Sequence, residues 1–150
     1  MDKQDVAAYI LGRYAGLVAV EAWGEQSFFY NPDKALPRGV YFATVKDKDG
    51  DNDQASRLGR DGVFRFNFGI SNASYKKVLG QRPARPVAGG VVSTGHDFSQ
   101  FNTLLPHPVY AWMSWVCVVN PDGAMMQQLT PLLDESYALV VEKYTKRIKK

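Results

Sequence analysis

One stretch constrains this chain more than any other: Val109 to Val119, an uninterrupted run without a charged residue. Read with the period of two of a strand, it puts Tyr110, Trp112, Ser114, Val116 and Val118 on one face. Ala111, Met113, Trp115, Cys117 and Val119 take the other. Both faces are largely apolar, so the spacing predicts a central strand covered on both sides. Such a strand needs a sheet around it and helices or long loops packed against that sheet.

The rest of the sequence offers both. Asp2 or Asp5 can cap a first helix whose Val6, Ile10 and Leu11 form a stripe ending near Tyr14–Gly16. Strand patterns follow at Leu17–Trp23, Ser27–Tyr30, Val40–Val45 and Val63–Phe68. In the last of these, Phe64, Phe66 and Phe68 share one face, and Arg65 and Asn67 the other. Ser71 can cap a short helix, Ala73–Leu79, that Gly80 stops. Residues 81–106 are broken up by proline and glycine, with one short strand at Val87–Ser93, and read as variable surface or a binding loop. At the C-terminal end, Leu129, Leu132, Leu133, Val140, Val141 and Tyr144 form a helical stripe. Pro131 lacks a donor, so it is predicted to begin a new helix capped by Thr130. The order of elements predicts an α+β fold, a mostly antiparallel sheet packed against helices, in one domain over residues 1–150.

Charge narrows the function classes. The net charge is +3, but five of the 18 basic residues (Lys143, Lys146, Arg147, Lys149 and Lys150) crowd the last eight positions. Without them 13 basic groups face 15 acidic ones, so the body of the chain is not basic. Cations there complement a helix C-terminus without needing a partner, and nucleic acid is therefore a secondary reading. No apolar run is long enough to span a membrane, and the N-terminus is too acidic for a secretory signal, so a soluble, cytoplasmic protein is expected.

Motifs for catalysis or cofactors are weak. The acidic run Asp47–Asp53 reads as a solvated turn, because both calcium-loop registers lack the required glycine and glutamate. His96, His107 and the single Cys117 lack zinc spacing, and Cys117 falls at a buried strand position. No metal and no cofactor is expected. One combination remains. Arg65 and Asn67 project from one strand face about 6.8 Å apart and, with His107, Tyr110 and Trp23, would line a groove beside the sheet. Arginine can grip a carboxylate or phosphate with two N–H groups, and aromatic rings can stack a planar ligand. This predicts a small-ligand or protein-interaction module, as a monomer or homodimer. The alternatives are a nucleic-acid-binding protein and an enzyme using a histidine as acid–base.

Two segments carry a resemblance. His107–Val119, followed by Leu132-Leu133-Asp134-Glu135-Ser136-Tyr137-Ala138-Leu139-Val140-Val141, resembles the closing strand and helix of the MmcQ/YjbR-like proteins. Gly16–Trp23 and Tyr41–Val45 fit that layout more loosely. The whole chain is also similar to a bacterial family of unknown function sharing Ser27–Tyr30, Phe42–Thr44, Gly62–Asn67 and His107–Tyr110. The resemblance implies a CyaY-like α+β architecture with an antiparallel sheet against helices. Members of the broader group are often described as DNA-binding, a label that follows shape and not a site.

Overall fold

In the computed structural model, which describes every residue except 23 and 150, the chain is α+β. The elements run α1 (Lys3–Arg13), β1 (Leu17–Ala22), β2 (Glu25–Tyr30), β3 (Val40–Lys46), β4 (Arg65–Gly69), α2 (Asn72–Leu79), β5 (Leu105–Pro106), β6 (Trp115–Val119) and α3 (Gly123–Ile148). The strands form one antiparallel sheet in the order β1-β2-β3-β4-β6-β5.

Register decides what each face carries. Phe28, Ala43, Phe68 and Val116 form one row, and Val45, Phe66 and Val118 the next. These side chains share a core with Val6 and Ile10 of α1 and with Met126, Leu129, Leu133 and Val140 of α3. A bulge between β2 and β3 leaves Phe42 without a cross-strand partner. It turns Phe42 inward with Ala43, where its ring meets Tyr14 at 5.0 Å and Tyr137 at 5.9 Å. The opposite face is polar in register: Glu25, Lys46 and Arg65 in one row, Ser27, Thr44, Asn67 and Cys117 in the other.

Helix starts follow the capping residues. Asp2 accepts from the Asp5 N–H, Ser71 from Ser74 and Asp122 from Met125.

Three expectations are corrected. Val109–Val119 is not one strand: only Trp115–Val119 pairs, and Ala111–Met113 makes a single 3-10 turn before Ser114 at φ 67°. The His107 ring causes this by accepting the N–H groups of Val109 and Tyr110, and the Trp112 indole donates back to the Val109 carbonyl. Local caps thus outweigh a high strand propensity. Val87–Ser93 forms no strand; Val92 is buried there and donates to the Pro108 carbonyl at 2.8 Å. Finally, α3 runs unbroken through Pro131. The proline removes one helix bond, at a cost of about 3 kcal/mol. Met126 and Leu129 before it and Leu133 and Ser136 after it are buried along one helix. That packing holds the helix together across the missing bond.

Candidate functional site

On the polar sheet face, Arg65 is fully buried, at 0% exposed. A guanidinium taken out of water needs its donors satisfied and its charge paired. Nε donates to Asn67 Oδ1 at 2.7 Å, Nη1 to Asp53 Oδ1 at 2.9 Å and to Ser56 Oγ at 3.0 Å, and Nη2 to Asp53 Oδ2. Asn67 passes the network on, donating to Thr44 Oγ1 at 2.9 Å. Asp53 lies in the segment between β3 and β4, which folds down over this face instead of standing in solvent. The solvated acidic turn holds for Asp49 and Asp51, which are exposed, and is corrected at Asp53. Leu58 is buried too, and its N–H donates to Asp49.

His107 completes the cluster at 4% exposed. Its Nδ1 accepts the N–H groups of Val109 and Tyr110, both at 3.1 Å, so the ring proton sits on Nε2. Nε2 lies 3.4 Å from Arg65 Nη2, which places two donors side by side. Burial, and then the charge of Arg65, pushes the ring well below its ordinary pKa. Burial opposes both charges of the ion pair, but their mutual bonds outweigh it: Asp53 is held below the usual carboxylate range and Arg65 above its own. Burial pushes the Cys117 thiol up to about 12, far from a reactive thiolate.

Arg65, Asn67 and His107 are thus brought together, with the half-exposed Tyr110 ring 5.1 Å from the His107 ring. Trp23 lies outside the described residues. The sequence reading missed Asp53, Ser56 and Thr44. The available signal was the inward-facing Arg65 itself, which requires a carboxylate that no neighbour in its own strand supplies.

The other half of the same face is open. A groove of about 550 Å³ is lined by Val18, Val20, Phe29, Leu36, Arg38 and Tyr41 among others. Val20 and Tyr41 are each 47% exposed, and Arg38 lies over the Phe29 ring. A second cavity, of about 670 Å³, flanks β1 from the helix side, with Leu11, Glu21 and Ala22 in its wall. Between the two runs the free edge of β1, whose last four residues are exposed and whose one partner strand is β2. Asn31 donates to the Gly16 carbonyl, fixing the even residues of β1 as those bonded to β2. The N–H and C=O groups of Leu17, Ala19 and Glu21 therefore point outward.

The model for a family of unknown function (DUF6194) matches residues 1–149, from the capping box of α1 to the end of α3. The chain belongs to this family. The DUF6194 match spans the buried network and the β1 edge alike. No curated protein and no solved structure matches the chain. Among the described residues no group of His, Cys, Asp and Glu is placed to hold a metal ion, and no helix is long and apolar enough to cross a membrane.

Proposed function

We propose that this DUF6194 protein is a protein-interaction module that takes up an extended segment along the free edge of β1. One observation carries this reading: β1 is a six-residue edge strand whose one protective feature is the exposed Glu21. It has no proline, lysine or bulge, and exposed Leu11, Val20 and Tyr41 stand about it. The opposite edge, β5, is two residues long and ends on Pro106. In this reading Arg65, Asn67 and His107 are positioning residues. They pin the 47–62 segment over one half of the face and leave the β1–β3 half free, as a groove beside the sheet. A labelled peptide carrying the β1 sequence between lysines should bind saturably in fluorescence anisotropy. Ala19→Pro removes one outward N–H and should abolish that binding while leaving the fold intact. Binding that survives Ala19→Pro would refute the edge as the site.

A second reading rests on a different observation. Residues 62–96 contain five basic residues and no acid. Four of these, Lys76, Lys77, Arg82 and Arg85, belong to α2 and the loop after it, and among the described residues none of the four is ion-paired. Arg82 donates to the Trp112 carbonyl at 3.1 Å, and Arg85 lies 4.7 Å over the Trp112 ring. Cations around an aromatic ring suit a phosphate-bearing strand. Labelled single-stranded and duplex DNA should then bind with steep salt dependence, a log–log slope of about −0.9 per phosphate contacted on duplex. Arg82→Ala/Arg85→Ala should flatten that slope. Absence of binding at low salt removes the reading.

A further inference from the structure

Resting on the interaction-module reading, we infer that the segment taken up at the β1 edge is β1 of a second copy of this chain, giving a two-fold dimer with a continuous twelve-stranded sheet. The two edges decide the symmetry. A head-to-tail chain would join β1 to β5, but β5 offers two residues and a proline without an N–H. That leaves β1 against β1, an isologous contact that closes on itself.

The strand is self-complementary in the registers its hydrogen bonds allow. Leu17, Ala19 and Glu21 carry the outward groups, so an antiparallel pair centres either on Ala19 facing Ala19 or on Val20 facing Val20. In the first register, Leu17 faces Glu21 of the second copy and Val18 faces its Val20. In the second, Ala19 faces Glu21 and Val18 faces Ala22. Neither register opposes Glu21, the only charge in β1, to itself. Both set the apolar face of Val18, Val20 and Ala22 beside the same face of the copy.

The flanks fit as well. Leu11, 45% exposed, lies on the helix side, and the cavity it lines carries both signs of charge in Lys3, Glu21, Glu25, Asp47 and Lys48. These five groups sum to −1 in each copy, with Lys3 already paired to Asp47, so a two-fold axis brings only a small like charge together there. On the other side, the two apolar grooves merge across the new strand pair.

Sedimentation equilibrium across 1–200 µM tests this directly. Wild type should give the mass of two chains, and Val20→Lys the mass of one, with association weakened more than tenfold. Circular dichroism checks that the variant is folded. Hydrogen exchange of wild type supplies an arm independent of any variant: the Ala19 and Glu21 amides should become protected as concentration rises. A two-chain mass retained in folded Val20→Lys overturns the proposal, as does a wild type of single-chain mass throughout. In the latter case the labelled β1 peptide separates the two failures. If it still binds, only the second copy is wrong; if it does not, the interaction-module reading falls too.

Discussion

Arg65→Met should cost about 3–5 kcal/mol of folding stability, measured by urea denaturation, as expected when one partner of a buried ion pair is removed. The side chain it replaces is fully buried and makes four bonds to Asp53, Ser56 and Asn67. Methionine fills much of the volume but leaves the Asp53 carboxylate facing apolar surroundings without a countercharge. For a domain stable by about 5–15 kcal/mol the loss is a large share. Asp53→Leu alone should be similarly damaging, because the guanidinium then stays buried and unpaired. The double variant should recover most of the loss, since two apolar groups owe no desolvation cost. The same singles should speed hydrogen exchange at Ser56 and Leu58, which lie in the segment that Asp53 pins. A single-variant cost below about 1 kcal/mol, the range of exposed pairs, would show that the network does not hold this segment down.

The difference between what was legible and what was not follows the range of the interactions. The α+β class and the antiparallel sheet were readable because period-two alternation and caps such as Asp2 and Ser71 are local. The cover on both sides of Val116–Val119 was readable from those residues alone, and all four are fully buried. The Tyr110–Met113 turn was not. Its cause is the His107 side chain capping two amides, and an alternating pattern carries no trace of that. Pro131 was misplaced because its cost is local, whereas the burial that offsets it comes from α1 and the sheet. Asp53 was misread for a related reason. An acid in a run of acids is normally solvated, and only the packing of the 47–62 segment onto β4 makes it the partner of Arg65. The exposed edge of β1 depended on strand order, which the sequence of elements does not set: β1 could as well have lain inside the sheet.

Stability should fall by up to about 1.4 kcal/mol for each pH unit below about 6.5, and His107→Asn should remove that slope. The sign follows from the direction of the shift. In the unfolded chain the imidazole takes up a proton near its ordinary pKa; in the fold, burial and Arg65 hold its pKa well below that. Between the two values the unfolded state binds more protons, so acid favours unfolding. Geometry reinforces the shift. A second ring proton would have to sit on Nδ1, breaking its bonds from Val109 and Tyr110 and setting a full charge beside Arg65. Asparagine places a carbonyl oxygen near the Nδ1 position, keeps the cap and does not titrate. Of the other charges near the ring, Lys46 adds to the repulsion, while Asp53 opposes it without prevailing. Glu25, raised by burial, works in the opposite direction: its protonation on acidification favours the fold. The comparison with His107→Asn therefore isolates the imidazole. A second loss should follow in both proteins below about pH 4, as Asp53, held low by Arg65, is protonated in the unfolded chain first. Urea denaturation at half-unit steps from pH 7.5 to 2.5 measures the slope and the second loss. Parallel curves for wild type and His107→Asn would show that the ring is free to take a proton in the fold, contrary to the caps described above.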